Sequence, residues 1–119
     1  MKKKRKKQRP VPKTYVIYRI QAAISAIDNE IQDYQQPQNP DGAKLLEDLQ
    51  KIRACFLEAL EDFEKTGSDA YYYDFKGMDR YCGDSWWLSS HPLSAIFSGA
   101  TQAYYRHFDY LRSVADKND

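Results

Sequence analysis

The chain has little of what catalytic, metal-binding or redox sites are usually made from. Its 119 residues include two cysteines, two histidines and five glycines. Cys55 and Cys82 form no CxxC or CxxxC pair, which argues against a zinc ribbon or a dithiol redox site. The sequence also has no glycine-rich phosphate-binding loop. The composition therefore predicts a protein that is not an enzyme and carries no cofactor.

The two histidines, His91 and His107, lack the sequence neighbours that metal or nucleophilic sites need. With the two cysteines they make a nominal two-Cys, two-His set, but zinc ligands usually come in close pairs. Neither histidine has a glutamate three residues before it, as the di-metal sites of helical bundles do. His107 and Asp109 are two residues apart, and such neighbours point in different directions on a helix. We predict no metal ligand and no catalytic residue.

Long apolar runs are also lacking. The basic start followed by Tyr15, Val16 and Ile17 resembles a signal peptide superficially, but Arg19 interrupts the apolar run. A membrane span needs roughly 18 apolar residues, and no stretch approaches that length. The two cysteines without a pairing pattern suit a reducing compartment. We expect no membrane contact and an intracellular location, cytoplasmic or, in a eukaryote, nuclear.

Acidic residues are missing from the first nine positions. These positions hold seven of the 18 Lys and Arg residues, which leaves 11 bases against 17 acids, a net −6, in the rest of the chain. A block of like charge stays flexible and attracts polyanions. We expect residues 1–13 to form a flexible polybasic arm ahead of a single domain at 14–119. The predicted phosphate-binding residues are Lys2, Lys3, Lys4, Arg5, Lys6, Lys7, Arg9, Lys13 and Arg19.

What the chain does have is helical periodicity. Apolar residues recur every three or four positions in three segments, which is typical of amphipathic helices. The stripes are Ile17, Ile20, Ile24, Ile27, Ile31 and Tyr34; then Leu45, Leu49, Ile52, Phe56, Ala59 and Phe63; then Leu93, Phe97, Ala100, Tyr104, Phe108 and Leu111. The predicted fold is all-α, a small bundle of three to four helices with a disordered basic N-terminal arm.

The ends of the helices can be predicted as well. Residues 35–42, with two prolines and a glycine, predict a short connection and hence an antiparallel hairpin of the first two helices. Asp41 is the predicted N-cap of the second helix and Gly67 its C′ residue. We expect the last helix to begin near Ser90, and Gly99 to allow another backbone to come close.

Residues 68–89 interrupt the periodicity. Polar residues and glycines are mixed here with seven aromatic residues in 17 positions, so we expect short helical turns joined by loops. Exposed Tyr and Trp often form binding hot spots and can stack bases. The competing interpretation is that these rings close the open end of the bundle. The predicted partner-binding residues are Tyr71, Tyr72, Tyr73, Asp74, Asp79, Tyr81, Trp86 and Trp87.

Two functional hypotheses follow from the arm and the aromatic segment. In the first, the protein is a non-catalytic accessory factor whose arm contacts phosphates of DNA or RNA and whose body docks on a protein partner or forms a homodimer. In the second, it is an adaptor or inhibitor, of the kind a mobile element encodes, whose acidic, Tyr/Trp-rich surface binds a basic protein partner. Exposed rings beside Lys76 and Arg80 would favour bases, whereas rings rimmed by aspartates would favour a protein.

Overall fold

The computed structural model describes residues 9–33 and 40–117, without the side chains of residues 33, 40, 41, 86, 87, 116 and 117. All regular secondary structure in that part of the chain is helical, which confirms the all-α prediction. The helices are α1 (Lys13–Asp33), α2 (Pro40–Thr66), α3 (Tyr72–Asp84), the single turn α4 (Trp86–Ser89) and α5 (Leu93–Lys117). Of the predicted arm at residues 1–13, residues 1–8 lie outside the described residues, as does Tyr34, while Val11 packs against the core and Lys13 is the first residue of α1.

α1 and α2 form the predicted antiparallel hairpin. At the start of α1, the Nζ atom of Lys13 donates to the backbone carbonyl of Glu64, in the last turn of α2, at 3.3 Å. Toward the end of α1, the carboxylate of Asp28 pairs with the guanidinium of Arg53 in the middle of α2. The chain therefore reverses direction between the two helices.

α5 also runs antiparallel to α1, and it packs on a different side of α1 from α2. The imidazole of His91, just before α5, lies 3.0 Å from a carboxylate oxygen of Glu30, near the end of α1. In the second half of α5, the ring of His107 contacts the backbone carbonyl of Val11, just before α1. α1 therefore packs against both α2 and α5.

α3 is antiparallel to α5. The hydroxyl of Tyr72, at the start of α3, donates to Asp109 of α5 at 2.9 Å. Two turns further along α3, Asp79 accepts a hydrogen bond at 3.0 Å from the hydroxyl of Thr101, which lies two turns earlier on α5. Contacts further toward the C-terminus of α3 are therefore made by residues further toward the N-terminus of α5.

The same direction holds between α3 and α2. The ring of Phe75 packs on Phe56 of α2 with centroids 5.5 Å apart, and the hydroxyl of Tyr81 donates to Asp48 of α2 at 2.8 Å. Around the bundle the order is α1, α2, α3, α5, with α2 and α5 on one diagonal. This is an up-down-up-down four-helix bundle in which α4 is a short turn leading into the last helix.

Aromatic rings fill the space between the diagonal helices. The rings of Phe56 on α2 and Phe97 on α5 lie 5.9 Å apart, so large side chains link these two helices across the core. Burying one such ring contributes about 1.5–3 kcal/mol. Small buried residues, Ala23 on α1 and Ala100 on α5, instead let the backbones of that adjacent pair come close.

The predicted stripes are largely the observed core. All six residues predicted for α2 are buried, and so are the first five predicted for α5. Leu111 is 48% exposed, because His107 is already level with Val11, ahead of α1, and no turn of α1 lies opposite the later part of α5. The buried stripe of α1 comprises Val16, Ile20, Ala23, Ile24 and Ile27, while Ile17 and Ile31 are partly buried.

One predicted end of α2 is confirmed and the other is displaced. Gly67 is the C′ residue, with φ 65° and its N–H donating to the carbonyl of Phe63 at 2.9 Å. The helix begins at Pro40, so Asp41 lies in the first turn and is not the N-cap. Proline is suited to the first turn, because the N–H that it lacks would have no partner there.

α5 begins at Leu93, slightly after the predicted start near Ser90. The N–H of Leu93 donates to the Nδ1 atom of His91 at 3.1 Å, so a histidine side chain binds one of the first free N–H groups of the helix.

The expectation of short turns joined by loops in residues 68–89 is wrong for most of that segment. α3 is continuous over 13 residues, and its buried side chains are Phe75, Met78 and Cys82. Their spacing of three and four is a helical period, partly hidden by the polar residues between them. Gly77 is exposed and costs only about 1 kcal/mol of helix stability there, which burial of the stripe offsets.

Candidate nucleic-acid interface

Acidic residues are distributed unevenly between two pairs of helices. α1 and α5, which pack together, contain five acids and five bases, and all five acids lie outside residues 13–27 and 93–108. α2 and α3 together contain ten acids and six bases. We refer to these as the α1/α5 half and the α2/α3 half. A polyanion approaching the first meets far less repulsion than one approaching the second.

The arm joins the bundle at one end of the α1/α5 half. The Nδ1 atom of His107 lies 2.7 Å from the backbone carbonyl of Val11; because a carbonyl only accepts, this nitrogen carries the proton. Val11 also packs against the core, and Arg9 is exposed just beyond it. The other predicted phosphate-binding residues of the arm lie outside the described residues: Lys2, Lys3, Lys4, Arg5, Lys6 and Lys7.

Lys13, also predicted to bind phosphate, is placed at the end of α2. Its Nζ atom donates to the carbonyl of Glu64 and lies 5.4 Å from the centroid of the Phe63 ring. A cation at this position interacts favourably with the negative end of the helix dipole. Lys13 is exposed, so its charge still adds to the positive potential near the arm.

Arg19 lies in the groove between α1 and α5. A Cβ atom built on Gly99 would be 1.8 Å from the Nη2 atom of Arg19, so the guanidinium occupies the space above this glycine. The close approach predicted at Gly99 is therefore made by a side chain of α1 and not by a backbone. The guanidinium lies over the outer side of α5, partly accessible to solvent.

Sequence reasoning missed two exposed tyrosines on α1. Tyr18 is 63% exposed and Tyr15 is 45% exposed. They are three residues apart, and Arg19 follows Tyr15 by four, so these side chains are neighbours on the helix surface. Arg106 is exposed on α5, next to the histidine that holds the arm. The signal was available, because both tyrosines fall outside the isoleucine stripe.

Arg106 is two helical turns after Gly99, over which the Arg19 guanidinium lies, so it is on the same side of α5. We call Tyr15, Tyr18, Arg19 and Arg106 the tyrosine face. It begins where the arm joins the bundle and extends along the α1/α5 half.

The aromatic segment predicted as a partner site is largely a packing element. Phe75 is fully buried, and Tyr71 is partly buried against the core. The ring of Phe75 packs on Phe56 of α2 at 5.5 Å and on Tyr104 of α5 at 4.8 Å, and the ring of Tyr72 has Lys76 Nζ at 5.4 Å and the Arg112 guanidinium carbon at 4.7 Å from its centroid. These contacts support the interpretation that the rings fill the opening between α2 and α5.

The two predicted partner-binding aspartates on α3 differ in their surroundings. Asp79 accepts hydrogen bonds from the hydroxyls of Thr101 at 3.0 Å and Tyr105 at 2.6 Å, so it joins α3 to α5. Burial and this carboxylate raise the pKa of Tyr105 far above its ordinary value. Asp74 is exposed, next to Tyr73, which is 81% exposed.

The exposed rings of α3 do not form one surface. Tyr81 is 42% exposed with its hydroxyl bound to Asp48. It lies about 12 Å from Tyr73 along the helix, since a helix rises about 1.5 Å per residue. The side chains of Trp86 and Trp87 lie outside what the structure describes.

The cysteines are thiols in packed surroundings. Burial raises the pKa of Cys55 and of Cys82 to about 11, so both are protonated and weakly reactive at neutral pH. Within residues 9–33 and 40–117, no three His, Cys, Asp or Glu side chains are placed to share a metal ion. None of the helices in this part of the chain combines the length and the apolar content that a membrane span requires.

No protein-family model, curated protein or solved structure matches the chain. Its function is therefore inferred from its own charge distribution, its arm and its exposed side chains.

Proposed function

We propose that this protein is a non-catalytic, nucleic-acid-associated accessory protein whose basic arm contacts phosphates and whose helical body docks on a partner. The observation that carries the proposal is the composition of the arm, with seven Lys and Arg residues and no acid in the first nine positions. Such cations gain affinity by releasing the counterions condensed on DNA or RNA, without reading the base sequence.

The attachment of the arm to the body supports this function. The hydrogen bond between His107 and Val11 fixes the chain just beyond Arg9, at one end of the half that contains fewer acids. A polyanion held by the arm has that half of the bundle beside it, while the ten acids of α2 and α3 belong to the other half. The division favours contact in one orientation.

A second candidate function is favoured by one observation on the α2/α3 half. Tyr73 is 81% exposed, next to the exposed carboxylate of Asp74. A tyrosine among acids suits a basic protein surface, as expected of an adaptor or inhibitor. In that case the arm serves only to direct the protein to its location.

Binding to nucleic acid across a salt series distinguishes the two candidates. The intact chain and a chain lacking Lys2–Arg9 are titrated into labelled single- and double-stranded DNA and RNA. If all seven charges contact phosphates, the logarithm of affinity falls against the logarithm of salt with a slope of about −5 for single strands and about −6 for duplex. Removal of the arm is expected to abolish most of this binding.

The matched control removes lysine charges from the α2/α3 half instead of from the arm. Lys51 and Lys65 form exposed ion pairs with Glu47 and Glu61 at 3.0 and 3.3 Å, and replacing both lysines with glutamine should leave the salt slope unchanged. Absence of binding by the intact chain would contradict the proposed function and direct the search toward a basic protein partner.

A further inference from the structure

The tyrosine face has two properties that point to a particular ligand. Its rings are accessible, with Tyr15 45% and Tyr18 63% exposed, although the isoleucines and alanines of α1 already complete the core side of that helix. Its charged members are Arg19 and Arg106, and the nearest acid after Arg106 on α5, Asp109, accepts a hydrogen bond from Tyr72 and lies 3.7 Å from Arg112. Aromatic rings interleaved with arginines are the recurring surface of proteins that bind single-stranded nucleic acid.

The position of the face relative to the arm adds a second argument. His107 holds Val11 by a hydrogen bond at 2.7 Å, and Arg106 is its neighbour in the chain. Tyr15 is two residues after Lys13, the first residue of α1. A strand whose phosphates contact Arg9 therefore lies near the first of the two tyrosines.

We propose that the tyrosine face binds unpaired bases, with Tyr15 and Tyr18 stacking on bases of a strand whose phosphates contact Arg9 and Arg106. The proposal rests on the proposed function and specifies its ligand as single-stranded DNA or RNA. The two residues are neighbours on the helix, with Cβ atoms about 5–6 Å apart, so their rings are close enough to serve adjacent bases.

A duplex fits this face less well, because its bases are stacked on one another and their faces are not available to a tyrosine ring. Stacking is tolerant of base identity, since every base has a π-face. The inference therefore predicts a preference for single strands over duplex and little preference among sequences.

The test uses the full chain, two double variants and one single variant. Tyr15→Ala with Tyr18→Ala removes both rings, Tyr15→Phe with Tyr18→Phe keeps the rings without the hydroxyls, and Tyr73→Ala is the matched control, because it removes an even more exposed ring from the acidic half. Each is titrated into oligothymidine of about 20 nucleotides, which is longer than the site of a typical single-strand-binding domain. Each is also titrated into an abasic oligomer with the same backbone.

The double alanine variant is expected to bind oligothymidine at least about 5-fold more weakly than the unaltered chain, with the salt slope unchanged. The phenylalanine variant and Tyr73→Ala should bind as the unaltered chain does, and all four proteins should bind the abasic oligomer alike. Circular dichroism checks that every variant keeps its helical signal.

Equal binding of oligothymidine by the double alanine variant and the unaltered chain would overturn the inference, and so would an equal loss on the abasic oligomer. Either result would leave the arm-dependent, salt-dependent binding of the proposed function intact. Failure of the unaltered chain to bind any nucleic acid would overturn both. Conversion of a dimer to a monomer by the double alanine variant, in sedimentation without nucleic acid, would instead assign the face to a second copy of the chain.

Discussion

α1 and α3 place their aromatic residues differently. On α3, Phe75 belongs to the buried stripe and packs on Phe56 of α2, while Tyr73, two residues earlier, is 81% exposed. On α1, Tyr15 and Tyr18 project from a helix whose core side is complete without them. The buried stripe of α1 is aliphatic and that of α3 includes an aromatic ring, so an aromatic residue is buried or exposed according to its position relative to the stripe.

The largest effect on stability is expected at a fully buried position of α2 that has an exposed neighbour. Phe56→Asp places an unpaired charge at a fully buried site in contact with rings of α3 and α5, which costs more than the bundle can supply. We expect loss of the cooperative thermal transition followed by circular dichroism.

The control for this prediction is the next residue on the same helix. Leu57 is 38% exposed, so Leu57→Asp should change the free energy of unfolding by only about 0.5 kcal/mol. A cooperative transition that survives in the Phe56→Asp variant would show that the core stripe of α2 is wrongly assigned.

An intermediate effect is expected at Asp79 of α3, compared with Asp74. Asp79→Ala removes the acceptor of the buried Tyr105 hydroxyl and one of the two acceptors of the buried Thr101 hydroxyl, and should lower the free energy of unfolding by about 1–3 kcal/mol in urea denaturation. Asp74→Ala removes an exposed carboxylate and should change it by less than about 0.5 kcal/mol. If both substitutions change the free energy of unfolding by equal, small amounts, Asp79 does not stabilise the fold and is available to bind a partner.

Ionisation of the buried tyrosines should not affect stability at neutral pH, but it should lower stability in alkali. Burial raises the pKa of Tyr104 from 10 to about 12, so above pH 10 the unfolded chain releases a proton that the folded chain retains. Stability should therefore fall as pH rises from about 10 to 12. The thiols of Cys55 and Cys82, raised from 9 to about 11, start this decline near pH 9.

Tyr104→Phe tests the assignment of this alkaline transition. The variant loses the hydrogen bonds that the hydroxyl makes with the carbonyl of Ser68 and the N–H of Tyr71, so it should be less stable at neutral pH. Its urea midpoint should nevertheless depend less steeply on pH through the alkaline window. A slope identical to that of the unaltered chain would assign the transition to other groups.

Several features of the fold could be predicted because they depend on local sequence. The stripe of α2 and the stop at Gly67 follow from helical periodicity and from a backbone conformation that glycine adopts readily. The α3 helix was missed because polar residues and Gly77 lie between its three buried side chains. The candidate site was predicted in part: Lys13 and Arg19 lie near the arm, but each also has a packing role that no sequence pattern indicated.

The sequence by itself determined the all-α fold, the hairpin of the first two helices and the uneven distribution of charge, since each is a property of spacing and composition. The tertiary structure decided which tyrosines are buried and which are exposed. It also brought His107 to Val11 and so placed residues 9–11 at one end of the half that contains fewer acids. These outcomes depend on which helices meet and at what register, and residues far apart in the chain determine that together.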